Sequence, residues 1–359
     1  MVYEVLDSFI LATILPALVS RQDIKVKGAV SDYFYYHSKT LIYLLSKVFG
    51  YKTIKIYADE IIHTNFNPTV VATGFSGGVD SFATYINHIG DGCLEEFKID
   101  TLALFIIGSY GNEYNQSFRD FSKDIKRAEE FAECVGMPLV VIDSNIGELY
   151  SHPDIFNYSL RSTICLSAGI LTLQKLWKTY FLSSTTTIDD MRLNKWDQYY
   201  YENSITQLLS NNNTDIIIAE TDIDRVQKTK LIAENELAQK YLYVCAADIL
   251  NAKTGMNYRK DRKPNCGACV KCTRTEITLD YLGVLDKFKE RFDLEQYYRL
   301  KPSLECEAYL DKDHWQREIF SLMQKTGFRP TFYMRVKKII FTFSKVGEVL
   351  RKIRKRMFS

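Results

Sequence analysis

The sequence has no apolar run long enough to cross a bilayer. The stretch nearest to one, "FILATILPALV" over 9–19, is too short and carries Pro16. No basic segment precedes it, which argues against a secretory signal. G-x-x-x-x-G-K-[ST] is absent, which excludes a P-loop NTPase, and so is G-x-G-x-x-G, the mark of a dinucleotide fold. There is no internal repeat and no long low-complexity segment. The formal net charge is only +2, so the body is not a generally basic nucleic-acid binder. That near-neutrality hides a local excess: 335–359 hold nine Lys/Arg and one acidic residue, and the remainder is net acidic.

What is present fills a chain of 359 residues, longer than one average domain, with ordinary apolar and charged fractions. Eight cysteines would suit disulfides in a secreted protein, but three crowd into "CGACVKC", a spacing suited to metal. A cytoplasmic location is expected. Residues 1–65 read as an N-terminal α/β lobe, with helices in "LDSFILATILPALV" and "SKTLIYLLSKVFG" and a strand in "TIKIYADEI"; "NFNPT" closes it. From there apolar runs alternate with helical patterns. The strands are "TVVATGF", "TLALFIIG", "PLVVIDSN", "KTYFLSST", "TDIIIAET" and "YLYVCAAD", which predicts an α/β fold with a doubly wound parallel sheet. "TTIDDMRLNKWDQYYYEN" reads as a loop or irregular insertion. Residues 286–333 read as a helical extension and 334–359 as a basic amphipathic tail.

Between the first strand of this series and its helix stands "SGGVDS". Adjacent glycines allow a tight turn, and the following helix N-terminus adds its dipole, so Ser76, Gly77, Gly78, Val79, Asp80 and Ser81 form an anion cradle outside a strand's carboxyl end. The loop resembles that of the PP-loop ATP pyrophosphatase superfamily, S-G-G-x-D-S. Members cleave ATP between its α- and β-phosphates and activate a substrate as an adenylate. The resemblance implies ATP and Mg²⁺ as cofactors. Ser76 and Ser81 and the N–H groups of Gly77, Gly78 and Val79 would hold the departing pyrophosphate, and Asp80 would place the Mg²⁺. It implies adenine at the end of the second strand, near Phe105 and Ile107. Arg161 becomes a nucleotide contact, with a surface arginine as the alternative. Lys228 becomes a phosphate-facing lysine, with Lys230 as its rival.

Cys266, Cys269 and Cys272 lie two residues apart, and Cys245 ends a strand-like run upstream. Four thiolates make a closed tetrahedral site suited to structural Zn²⁺, although C-x₂-C-x₂-C is also iron–sulfur spacing. The order of parts over 66–285 (the loop, an Arg-containing apolar helix, a late cysteine, then the triple) is similar to the 7-cyano-7-deazaguanine synthase family. That family forms a nitrile from a carboxylate, ATP and ammonia, and carries a four-cysteine zinc site. The resemblance implies a ligase acting on a small-molecule acid with ammonia or an amine, with substrate contacts near Asp189, Asp190, Arg192 and Trp196. The chain departs from the family in its insertion, in a longer gap before Cys266 and in its first 65 residues, so the deazaguanine substrate does not carry across. Other readings of the loop are a tRNA-modifying or sulfur-transfer enzyme, a cell-surface sugar amidotransferase, and a non-catalytic nucleotide-binding subunit of a defence or regulatory complex. The tail places Val336, Ile339, Ile340, Phe343, Val346, Leu350 and Ile353 among basic residues at helical spacing. It suits an anionic membrane surface, a partner's groove, its own domain, or weak RNA contact.

Overall fold

The uninterrupted apolar runs of the sequence form a parallel sheet. In the computed structural model, which describes residues 4–109, 111–246, 263–311 and 313–343 (backbone only for 115–120), the strands are β3 (Val70–Gly74), β4 (Thr101–Ile106), β5 (Leu139–Asp143), β6 (Trp177–Ser183) and β7 (Asp215–Ala219). Their order is β5-β4-β3-β6-β7, all pairs parallel. The chain runs outward from β3 through β4 to β5, then returns to place β6 on the other side of β3. The switch point of the sheet therefore lies between β3 and β6.

Both faces are covered. Alternate residues of β4 point to opposite sides, as strand geometry requires. Leu104 and Ile106 pack with Phe121 and Ala128 of α4 (Tyr114–Val135), while Ala103 and Phe105 join the larger core with Ile164 and Ala168 of α5 (Ser162–Leu171). On the α4 side, Phe131 stacks on Phe75 at 4.0 Å between ring centroids and meets Phe82 edge-on.

The first 65 residues do not stand apart from this core. They fold as α1 (Asp7–Ser20), β1 (Ile24–Ser31), α2 (Asp32–Phe49) and β2 (Ile56–Ile62), with β1 and β2 a parallel pair. Leu11, Leu15 and Leu18 of α1 belong to the same core as the sheet residues. Polar bonds fix α1 further: Ser8 donates to the Ala168 carbonyl at 2.7 Å, and Tyr150 donates to the Ala12 carbonyl at 2.8 Å. Asp7, buried, accepts the Ser31 N–H at 2.9 Å and the Ser31 hydroxyl at 2.6 Å.

The chain divides into two compact units, Met1–Ile223 and Asp224–Ser359. That division falls inside the span that the sequence assigns to one domain. The second unit is helical where described: α6 (Glu202–Leu209) still belongs to the first, and α7 (Arg225–Ala233), α8 (Glu236–Tyr241), α9 (Val270–Tyr281), α10 (Leu294–Leu310) and α11 (His314–Lys325) form the second, with residues 332–343 also helical. The single helix expected over "RVQKTKLIAENELAQKY" is two. Asn235 adopts extended backbone and accepts the Ala238 N–H, so it caps a new helix.

"YLYVCAAD" is not a strand as far as Ala246, and its last residues lie outside the described ones. The Asn265 side chain replaces a strand partner. Its Oδ1 accepts the Val244 and Cys245 N–H groups at 2.8 and 3.1 Å, and its Nδ2 donates to the Leu242 carbonyl at 3.0 Å. Among the described residues no helix is long and apolar enough to cross a membrane.

Candidate functional site

β3 ends at Gly74, and Phe75 is tied to β4 by its N–H donating to the Ala103 carbonyl at 2.9 Å. The chain must then turn at once into α3 (Val79–Asn87), and Gly77 supplies the turn with φ +74°, a left-handed conformation that a side chain would resist. Gly78, in extended backbone, caps α3 without a side chain. The bend is laced internally: Ser81 donates to the Gly78 carbonyl at 3.0 Å, the Ser76 and Ser81 hydroxyls are 3.4 Å apart, and the Gly78 N–H donates to Ser76 Oγ at 3.4 Å. Asp80 is in the first turn of α3, half-buried.

The bend opens into a cavity of about 250 Å³. Ser76, Asp80 and Ser81 line it, together with Phe105 at the end of β4. The cavity sits at the carboxyl ends of β3, β4 and β6, the switch point of the sheet, where open α/β sheets bind ligands. Its far wall is Thr163, Tyr199 and Glu202. The Thr163 hydroxyl donates to Glu202 at 3.1 Å. Gln198 caps α5 from a distance, its Oε1 accepting the Thr163 and Ile164 N–H groups at 2.9 and 3.2 Å. Burial pushes the Tyr199 hydroxyl well above its ordinary pKa, so it is a neutral donor. Tyr180 also lines the cavity, and its buried hydroxyl has no hydrogen-bond partner among the described residues. A buried hydroxyl in a cavity wall can donate one hydrogen bond to a polar ligand atom.

Gly77, Gly78 and Val79, the last of them buried, are not among the residues lining this cavity, and neither are two others expected at the nucleotide. Ile107 is buried in the core. Arg161 is neither on the surface nor in the cavity wall: it is fully buried, with Nη2 donating to Asn112 at 2.7 Å, Nη1 to Cys165 Sγ at 3.3 Å, and its guanidinium 4.4 Å from the Tyr150 ring centroid. An aromatic cage and two hydrogen bonds offset the desolvation of the cation. Asp189, Asp190, Arg192 and Trp196 are also off the cavity wall; Trp196 is 69 % exposed and Arg192 stacks on Tyr200 at 3.8 Å. Lys228 lies in α7 of the second unit and is buried, whereas Lys230 is exposed. The sequence reading missed Thr163, Tyr199 and Glu202. Their only local signal is a hydroxyl at the start of α5 and a run of tyrosines before α6.

In the second unit Cys245, Cys266, Cys269 and Cys272 are buried, and their Sγ atoms all lie within 4.8 Å of one another. The turn between Cys266 and Cys269 directs backbone at sulfur, with the Ala268 and Cys269 N–H groups donating to Cys266 Sγ at 3.5 and 3.3 Å. Gly267 makes that turn possible. Its φ is +65°, and a Cβ there would stand 2.8 Å from the Asp293 carbonyl oxygen. Hydrogen bonds from Cys245, Cys266 and Cys272 lower the Cys269 thiol from its usual range. The donor set and spacing can hold a metal ion such as zinc.

Glu276, on α9, is fully buried, and neither carboxyl oxygen has a hydrogen-bond partner among the described residues. Burial first, then the charges of Cys269, Asp293 and Cys245, push its carboxyl up from 4.5 to about 9. The folded state therefore holds a proton that the unfolded state releases between those values, and stability falls as pH rises through that window. Glu276→Gln is expected to remove a slope of up to about 1.4 kcal/mol per pH unit. Denaturant unfolding of both proteins across pH 5–9 checks it, and parallel curves would refute it.

No family model, no curated protein and no solved structure matches the chain.

Proposed function

We propose that the chain is an ATP-dependent, AMP-forming ligase of the PP-loop ATP pyrophosphatase type, similar in the order of its parts to 7-cyano-7-deazaguanine synthase. One observation carries this reading: a Ser-Gly-Gly-x-Asp-Ser bend at the carboxyl end of the central strand, opening into a cavity at the switch point of a parallel sheet. The N–H groups of Gly77, Gly78 and Val79 and the hydroxyls of Ser76 and Ser81 suit the β- and γ-phosphates. Phe105 offers an apolar surface to adenine. The unpartnered Tyr180 hydroxyl and the carboxylate of Asp80 fit a polar ligand with a cation. Mg²⁺, when bound, supplies positive charge against the departing pyrophosphate.

In the reaction, an oxygen of a substrate carboxylate forms a bond to the α-phosphorus as the α–β bridging bond breaks and pyrophosphate leaves. The nitrogen of ammonia or an amine then attacks the acyl carbon, AMP leaves, and a proton is lost to solvent or a base. Stabilising a leaving group is electrostatic work and needs no nucleophile from the chain. Thr163, Tyr199 and Glu202 are the polar groups that the far wall offers to the acid and the amine.

The four-cysteine cluster is assigned to structural Zn²⁺. A tetrahedral site with Zn–S of about 2.3 Å places sulfurs about 3.8 Å apart, and Cys266 and Cys272 Sγ are at 3.9 Å. A cubane, with one iron per thiolate, needs a wider set.

Purified protein with ATP, Mg²⁺, ammonia and candidate acids is expected to release pyrophosphate and AMP in equal amounts. No release with any acid, a broad metabolite extract included, would sink the reading. Metal analysis is expected to give zinc without labile sulfide; iron with sulfide would move the assignment toward a tRNA-modifying or sulfur-transfer enzyme.

A further inference from the structure

The helix at residues 332–343 is two-faced. Met334 and Phe341 pack with Cys306, Leu310 and Tyr309 of α10 and with Phe328, which holds the helix on its own unit. The opposite face is apolar and exposed: Phe332, Tyr333, Val336, Ile339, Ile340 and Phe343, with Phe332 83 % and Phe343 74 % exposed. Those positions recur at one, three and four residues, so at about 100° per residue they share a sector of roughly 120°, the width of a stripe meant for burial. A helix that needed only its own domain would turn a polar face outward here. The sequence reading grouped Val336, Ile339, Ile340 and Phe343 as one face; the structure shows that face turned away from the packing that fixes the helix.

The flanks of the stripe are basic. Arg335 lies on one side and Lys337 on the other, and Arg335, with Lys338 from the packed face, borders a groove with Tyr309, Ile339, Thr342 and Phe343. Lys338 holds its ammonium 4.4 Å from the Tyr309 ring centroid, so its position is fixed at the edge of the groove. Beyond Phe343 the sequence keeps the same charge sign with one acidic residue, Glu348; Val346, Leu350 and Ile353 lie outside the described residues.

An exposed apolar stripe bordered by cations fits the headgroup–acyl boundary of an anionic bilayer, where the stripe meets acyl chains and the cations meet lipid phosphates. The geometry points to the helix at 332–343 as an interfacial docking element that lies on an anionic membrane through Phe332, Val336, Ile339, Ile340 and Phe343, with Arg335 and Lys337 on lipid phosphate. It does not cross the membrane, and the assignment is independent of the ATP chemistry proposed for the first unit.

The test is co-sedimentation of the full chain with vesicles. Binding is expected to equimolar phosphatidylcholine–phosphatidylglycerol and not to phosphatidylcholine alone, weakening as salt rises. Ile339→Asp with Ile340→Ser alters only exposed positions and is expected to melt like the wild type while losing about tenfold or more in partitioning. Arg335→Gln with Lys337→Gln, which keeps the stripe, is expected to lose the preference for phosphatidylglycerol. Equal binding to both vesicle types, unchanged binding by the stripe variant, or no binding together with a dimer that the stripe variant dissolves would each overturn it. If the stripe variant does not fold, the outcome rests on the charge variant and on salt dependence in the wild type.

Discussion

Asparagine in place of Asp80 is expected to lower ATP-dependent pyrophosphate release by about two to three orders of magnitude, with the melting curve unchanged. The side chain sits in the first turn of α3, half-buried, on the wall of the cavity that the glycine bend opens. Asparagine keeps its shape and removes its charge. What is lost is the anionic ligand that would place a divalent cation against the outgoing pyrophosphate, whose charge grows as the bond breaks. Nucleotide affinity in the absence of Mg²⁺ should change little, because the amides of Gly77, Gly78 and Val79 remain. Affinity for the Mg²⁺ complex should fall. Ser81→Ala is expected to have a smaller effect, about tenfold to a hundredfold, since that hydroxyl both faces the cavity and donates to the Gly78 carbonyl at 3.0 Å. Normal turnover by the Asp80 variant would remove the cation-placing role. Normal turnover by both variants would move the chemistry away from the bend altogether.

The bend was legible in sequence because it is local. A glycine must supply φ +74° where a central strand turns directly into a helix, and the hydroxyls that lace the turn come from the same six residues. The strands β3 to β7 were legible because a parallel sheet covered on both faces needs unbroken apolar runs. β1 was not. Its run "IKVKGAVS" is interrupted by Gly28 at φ +141°, where its pairing shifts register between Val26 and Ala29. "YLYVCAAD" has a strand's composition but finds its hydrogen bonds on one asparagine side chain twenty residues away, which no local pattern announces.

The far wall of the cavity was illegible for the same reason. Thr163 and Glu202 meet across 39 residues, and Gln198 caps α5 from within an insertion that reads as a solvated loop. Arg161 misled in the opposite direction. Its position near a helix start suggests phosphate, yet Tyr150, Tyr158 and Asn112 enclose it, and only tertiary packing brings those groups together.

The second large effect is expected at the cysteine cluster, with Cys269→Ser as the variant of choice. Cys269 caps α9, where the dipole favours an anion, and three neighbouring thiols hydrogen-bond to it, so it is the member most readily present as thiolate. Serine there offers a hard, protonated oxygen to a site built for soft sulfur. Metal content is expected to fall well below one per chain. Because binding to a closed four-thiolate site contributes about 10–16 kcal/mol to folding in small domains at neutral pH, the second unit is expected to lose its cooperative transition near the wild-type temperature. The first unit, whose sheet and core contain none of these ligands, is expected to melt as before, so two transitions should separate. Cys306→Ala is the control. That thiol is buried with Leu310 and Met334, away from the cluster, and its removal should cost only the about 1–2 kcal/mol of a small cavity. Protons compete with metal for thiolate, so a chelator should strip the wild-type site faster as pH falls from 8 to 6. A wild-type chain that holds no metal, with a Cys269 variant that melts like it, would show four thiols packed together for their burial alone.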